Sequence, residues 1–187
     1  MTAWSAVVLT GGASTRMGRD KALVPLAGVP MARRVADAAA AAGATEVLAL
    51  GGDLDRLRAI GLDARPDERQ GSGPLGGLVG ALEVAAAPVV VVVACDLPWL
   101  TADAVAAVVA AQPGHDAALA RTDRLEPLCG AWRRAAAATL RAAFDDGERA
   151  IHRAVRRLDV VTVVVDAAVL RNVNQPADLS DDGTVGR

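Results

Sequence analysis

The segment Leu9-Thr10-Gly11-Gly12-Ala13-Ser14-Thr15-Arg16-Met17-Gly18-Arg19-Asp20-Lys21 gathers three glycines and three cationic side chains directly after a short apolar run. Gly11 and Gly12 allow a sharp turn that brings backbone N–H groups close to an anion, and Arg16, Arg19 and Lys21 can neutralise phosphate charge. The outline is that of a polyphosphate cradle. It is not the Walker type, because Gly18 is followed by Arg19 and no G-x-x-x-x-G-K-[ST] occurs. Lys21 is the single lysine among 20 basic residues. A compact ammonium and a planar guanidinium are not interchangeable, so a lysine kept at this one slot reads as a functional point charge.

A second chemical group lies at Cys95-Asp96-Leu97-Pro98, where the run Val89 to Cys95 ends. That run reads as a central strand buried on both faces, and Leu97-Pro98 breaks it just after the carboxylate. A carboxylate at the mouth of an apolar strand needs compensation, which a hard cation bridging Asp96 and phosphate oxygens would supply; Mg²⁺ typically binds through one or two carboxylates plus phosphates. Capping of the helix expected from Ala102 is the competing role for Asp96, but Thr101 is itself a good N-cap.

Gly71-Ser72-Gly73-Pro74-Leu75-Gly76 formally matches the dinucleotide fingerprint G-x-G-x-x-G, with Asp96 some way downstream. The fingerprint requires a strand immediately before its first glycine, whereas Arg65-Pro66-Asp67-Glu68-Arg69-Gln70 is charged and broken by proline. Gly76 and Gly77 are instead placed to admit a ligand near a helix N-terminus. Asp67 can accept either from the two adjacent donors on the pairing edge of guanine or from ribose hydroxyls. Towards the C-terminus, Asn172 and Asn174 alternate onto one face of an extended segment, and Pro176 starts a short helix.

These groups have to be positioned by a scaffold. Short β-branched runs alternate with alanine-rich stretches, the pattern of a mostly parallel sheet covered by helices on both faces. Strands are expected near Ala6–Leu9, Glu46–Leu50, Val89–Cys95, Ala117–Ala120 and Val160–Val165, and a further apolar strand runs through Trp132 after Glu126-Pro127-Leu128. Helices are expected over Met31–Ala42, Gly77–Ala86, Ala102–Ala111, Arg133–Phe144 and Glu148–Leu158. In such sheets ligands bind at the carboxyl ends of the strands, which is where both the Leu9–Lys21 loop and Asp96 fall.

With 187 residues the chain fits one compact domain, expected over residues 1–179, and the small polar tail 180–187 is expected to be mobile. A net charge of -2 gives no global basic field to attract nucleic acid or an anionic membrane. The longest apolar run contains Pro88 and stops at Asp96, short of a membrane span, and the first residues are unlike a signal peptide, so a cytoplasmic setting is expected. Cys95 and Cys129 read as buried free thiols. His115 and His152 are too few and scattered for an imidazole metal site, and Trp4, Trp99 and Trp132 read as packing or surface residues.

The first segment resembles the opening signature of the molybdenum cofactor guanylyltransferases, Leu-Ala-Gly-Gly-x-Ser-x-Arg-Met-Gly-x-Asp-Lys, with Thr10 in place of alanine. Gly73-Pro74-Leu75-Gly76-Gly77 with Asp67 upstream, Cys95-Asp96-Leu97-Pro98, Gly147-Glu148-Arg149-Ala150 and Asn172-Val173-Asn174-Gln175-Pro176-Ala177-Asp178-Leu179 are similar to further family segments, in the family's order. The resemblance implies a three-layer α/β/α Rossmann-like nucleotidyltransferase fold with a mostly parallel central sheet. It implies a Mg²⁺-dependent enzyme that transfers GMP from GTP to molybdopterin and releases pyrophosphate. Arg16, Lys21 and Asp96 would be catalytic, Asp96 holding the metal. Leu9, Thr10, Gly11, Gly12, Asp67, Gly76, Gly77, Asn172 and Asn174, together with Lys21 and Asp96, would bind substrate, and contact with cofactor-biosynthesis or molybdoenzyme-maturation proteins would be transient. Cytidylyltransferases for the same cofactor open with Leu-Ala-Ala-Gly, so Gly11-Gly12 favours guanine. Other small-phosphate nucleotidyltransferases are a second reading, and a non-catalytic nucleotide-binding module is a third.

Overall fold

The computed structural model describes residues 2–11, 20–174 and 178. In chain order its strands are β1 (Trp4–Leu9), β2 (Pro25–Leu26), β3 (Val29–Pro30), β4 (Glu46–Leu50), β5 (Asp63–Arg65), β6 (Val89–Ala94), β7 (Ala117–Arg121), β8 (Leu125–Arg133) and β9 (Val160–Val164). The helices are α1 (Met31–Ala41), α2 (Leu54–Ala59), α3 (Gly73–Val84), α4 (Ala102–Ala111), α5 (Ala137–Asp145) and α6 (Ile151–Ala154).

One sheet of seven strands runs in the order β5-β4-β1-β6-β8-β7-β9. Only β8 opposes its neighbours, pairing antiparallel with both β6 and β7, while the other pairs are parallel. Strands β2 and β3 form a small separate hairpin. Successive side chains of a strand point to opposite faces, and β1 and β6 are apolar at nearly every position, so each supplies two cores at once. Ala6, Val8, Val91 and Val93 pack with Val35 and Ala39 of α1, Leu57 of α2 and Val105 of α4. Val7, Val90 and Val92 face the other way, onto Leu78 and Leu82 of α3, Leu140 of α5 and Ile151 of α6. The result is helix, sheet, helix, with each fully buried valine or leucine stabilising by roughly 1.5–3 kcal/mol. The alanine excess lets α1 lie close to the sheet: Ala32 and Ala39 are fully buried beneath it.

Three expected elements have other bounds than the sequence suggests. Helix α3 begins at Gly73, not Gly77. The stretch expected as one helix over Glu148–Leu158 is the short α6 followed by a 3-10 turn at Val155–Arg157. Strand β8 runs on to Arg133, so α5 starts only at Ala137, after a 3-10 turn. Trp4 and Trp132 are buried, whereas Trp99 lies under the Arg171 guanidinium at 3.8 Å. Among the described residues no helix is long and apolar enough to cross a membrane. The tail 180–187 lies outside the described residues.

Candidate active site

Because β1, β4, β5 and β6 are parallel, their carboxyl ends share one edge of the sheet, and two groups of residues meet there. The first is built on glycine. The amides of Thr10 and Gly11 both donate to the Leu50 carbonyl, at 3.0 and 3.1 Å, and the Gly51 amide donates to the Arg65 carbonyl at 2.9 Å. These bonds draw the ends of β1, β4 and β5 together. Gly51 adopts φ +82°, and a Cβ there would stand 2.9 Å from the Gly11 Cα and 3.2 Å from the Asp67 Cβ. Only glycine permits both the backbone angle and the approach.

Asp67 lies against these glycines. Its Oδ1 accepts from the Arg69 amide at 2.9 Å and sits 3.5 Å from where a Gly80 Cβ would be, while Oδ2 lies 3.7 Å from the corresponding point on Gly11. The absence of side chains at Gly11, Gly51 and Gly80 thus lets these three positions pack closely on the half-buried Asp67, whose carboxylate can accept from a ligand's donors. The Thr10 hydroxyl is hydrogen-bonded to the carbonyls of Gly51 (2.8 Å) and Leu50 (3.1 Å), and the residue is buried. The departure from alanine at this position therefore reinforces the β1–β4 junction.

The second group gathers about Asp96. The Cys95 amide donates to the Leu9 carbonyl at 3.2 Å, carrying the β1–β6 pairing to the point where Asp96 leaves the sheet. Lys21 comes from a 3-10 turn, Lys21–Leu23, whose N-cap Asp20 accepts from the Ala22 amide at 3.1 Å. The Lys21 Nζ donates to Asp96 Oδ2 at 2.8 Å and to Asn174 Oδ1 at 3.0 Å. The 171–174 segment is pinned beside them because the Val173 amide donates to the Asp96 carbonyl at 3.0 Å. Thr101 caps α4 by accepting from the Ala104 amide at 3.3 Å, which leaves Asp96 without a capping role there.

Asp96 Oδ1 is buried and has no hydrogen-bond donor among the described residues. An orphaned carboxylate oxygen is costly unless a cation or donor completes it. No group of three or more metal-type side chains occurs among the described residues. One carboxylate with an unsatisfied oxygen fits an ion that takes most of its coordination from water and phosphate, and does not fit a closed all-protein cage. The neighbouring Cys95 thiol is pushed up to about 12 by burial and then by the Asp96 charge, which keeps it protonated and unreactive as a nucleophile at neutral pH.

The remaining sequence candidates divide. Leu9 and Gly77 meet each other, since a Gly77 Cβ would touch Leu9 Cδ1 at 3.5 Å. The space beside Gly76 is filled by Ser72 and by the Phe144 ring, at 3.0 and 3.2 Å from its would-be Cβ. Both glycines thus let the chain pack on itself. Asn172 is half-buried, and Asn174 is the asparagine that reaches Lys21. Gly12 and Arg16 lie outside the described residues. Gly147-Glu148-Arg149 serves as a brace: the Arg149 carbonyl accepts from the Leu75 amide at 3.3 Å, and its guanidinium stacks on Phe144 at 4.2 Å. Glu148 accepts from Arg153 twice, at 2.6 and 2.8 Å, and from the amides of Arg149 and Ala150. Gly51 and Gly80 were not singled out as site residues from the sequence. The doublet Gly51-Gly52 at the end of a strand was the available signal for the first, and Gly80 offered none.

A family model described as the MobA-like NTP transferase domain matches residues 6–163. The chain belongs to this family. The MobA-like chain is 36% identical to the molybdenum cofactor guanylyltransferase of Rhodobacter capsulatus over 179 residues, covering 93% of this chain and 92% of that one. It is 34% identical to the probable molybdenum cofactor guanylyltransferase of Deinococcus radiodurans, over 95% of this chain and 92% of the relative. Its structure is similar to that of molybdopterin-guanine dinucleotide biosynthesis protein A from Archaeoglobus fulgidus, with a TM-score of 0.76, 25% identity and 94% of each chain covered. CMP:2-keto-3-deoxy-manno-octonic acid synthetase complexed with CTP shares the fold at a TM-score of 0.77 and 15% identity, covering 95% of each chain. The architecture is thus the Rossmann-like nucleotidyltransferase fold that the first segment implied.

Proposed function

We propose that this MobA-like transferase moves GMP from GTP to the terminal phosphate of molybdopterin or the molybdenum cofactor, in the cytoplasm, with Mg²⁺ as the divalent ion. An oxygen of the acceptor phosphate attacks the α-phosphorus, the bond from that phosphorus to the bridging oxygen breaks, and pyrophosphate leaves with the electron pair. A phosphate nucleophile is already ionised at neutral pH, so the site needs no general base. Catalysis is positioning and charge neutralisation.

The observation that carries this reading is the meeting of Lys21, Asp96 and Asn174 at the strand ends that also hold the glycine-walled Asp67. In the proposal Lys21 and Arg16 neutralise the leaving pyrophosphate, and Gly11 and Gly12 supply backbone amides. Asp67 accepts from the guanine edge or the ribose, and the asparagines face the acceptor. Mg²⁺, held by Asp96, would add charge stabilisation of the phosphates. Delivery of the product would involve only transient contact with cofactor-biosynthesis or maturation proteins.

The test is to incubate the protein with each nucleoside triphosphate, Mg²⁺ and candidate acceptors and to measure pyrophosphate. Turnover with GTP and molybdopterin is expected. Turnover with CTP alone would overturn the guanine assignment, and GTP binding without pyrophosphate release would mark a non-catalytic module.

A further inference from the structure

We infer that Lys21 is a stand-in cation: its ammonium compensates the Asp96 charge that a divalent ion would otherwise neutralise, and triphosphate must draw it away before that ion can settle. The inference rests on the reading of Asp96 as the metal carboxylate.

Asp96 presents two unlike oxygens. Oδ2 is engaged by the Lys21 Nζ at 2.8 Å, while Oδ1 is buried without a donor among the described residues. Both side chains are mostly shielded, at 17% and 23% exposed, so solvent screens them only partly. An ammonium on one oxygen and a doubly charged ion on the other would stand within a few ångströms of each other and repel strongly in such a setting. One carboxylate cannot compensate both. Lysine suits the placeholder role because its charge sits at the end of a flexible stem with three donors, and can move without the backbone moving. Asn174 Oδ1 shares the Nζ at 3.0 Å and steadies it in the waiting position.

Triphosphate offers Lys21 a competing anion with more charge than Asp96. As the ammonium follows the phosphates, Asp96 is left open on both oxygens and the ion's affinity rises. Nucleotide and ion therefore bind cooperatively, and the coupling is reciprocal by linkage. Lys21 also keeps the carboxylate compensated while no nucleotide is present.

The test measures Mn²⁺ binding to the full chain by electron paramagnetic resonance of the free ion, with and without the α,β-methylene analogue of GTP. Wild-type protein is expected to bind Mn²⁺ weakly alone and on the order of 10- to 100-fold more tightly with the analogue. Lys21→Met should bind Mn²⁺ at least about tenfold more tightly than wild type without nucleotide and lose most of the coupling. Lys21→Arg, which retains the charge, should stay weak. Asp96→Asn should abolish the nucleotide-dependent binding. Asn174→Ala, which loosens the ammonium without removing it, should move nucleotide-free affinity in the Lys21→Met direction, and it serves as the test should Lys21→Met fold poorly. Unchanged nucleotide-free affinity in both Lys21→Met and Asn174→Ala, with Asp96→Asn still abolishing binding, overturns the placeholder role and leaves the metal reading standing. Undiminished binding in Asp96→Asn overturns the metal reading itself.

Discussion

Gly11 turns its bare Cα towards Asp67, so that a Cβ there would lie 3.7 Å from the carboxylate Oδ2. That distance is an ordinary van der Waals contact, and the other neighbours of the added atom lie at 3.5 and 3.7 Å. Gly11→Ala should therefore fold normally while placing a methyl between Asp67 and anything that Asp67 binds. The expected result is a fall in kcat/KM for GTP of roughly 10–200-fold, the usual worth of one misplaced methyl or methylene. Steady-state kinetics with GTP and CTP would check it, and undiminished GTP use would remove Asp67 from base or ribose recognition.

Gly51→Ala should behave in the opposite way. Its φ is +82° and its Cβ would press on the Gly11 backbone at 2.9 Å, so the β1–β4 junction must shift. A loss of about 1–3 kcal/mol is expected. Thermal melts of the two variants side by side should show a lower Tm only for Gly51→Ala.

Asp96→Ala should abolish metal-dependent turnover with little loss of folding, because it also removes a buried oxygen that has no donor among the described residues. Lys21→Ala should cost on the order of 100-fold or more in kcat, the scale of one preorganised charge contact. Single-turnover rates with circular dichroism controls separate chemistry from unfolding, and a variant with near-normal rates would take its residue out of the mechanism.

Glu148 should make the brace over α3 acid-sensitive. Arg153, with the amides of Ala150 and Arg149, holds its carboxyl down at about 2, against 4.5 ordinarily. Between those values the unfolded chain binds the proton and the folded chain does not. The stabilisation is therefore complete above about 4.5 and is lost as the pH falls towards 2. The Tm gap between wild type and Glu148→Gln should narrow across that window, as followed by melts at stepped pH, and a gap independent of pH would refute the assignment.

Much of this arrangement was legible in the sequence because it is written in short-range patterns. The all-apolar run at Val89 announced a doubly buried strand, the glycines after Leu9 a turn, and Asp96 a charge at a strand mouth. What escaped was either too short or too distant to leave a pattern. Strand β5 is three residues, Asp-Ala-Arg, with only Ala64 buried, and α2 is six residues long. Helix α6 has only four residues before it tightens into the 3-10 turn at Val155–Arg157, too short a run to leave a periodic pattern. Strand β8 carries Pro127 where its pairing with β7 shifts, a bulge that a proline hints at but cannot place. The packing around Asp67 depends on Gly51 and Gly80 arriving from separate elements, and no local rule connects them to Gly11.

The ammonium of Lys21 bridges partners 75 and 153 positions away along the polypeptide. The last of them, Asn174, follows the final strand. During synthesis all seven strands of the sheet, and with them Gly11, Gly51, Asp67 and Gly80, are made before that asparagine. A nascent chain can thus assemble the sheet before the Lys21 ammonium has its Asn174 partner, and a chain shortened to residue 173 is expected to fold without that bond.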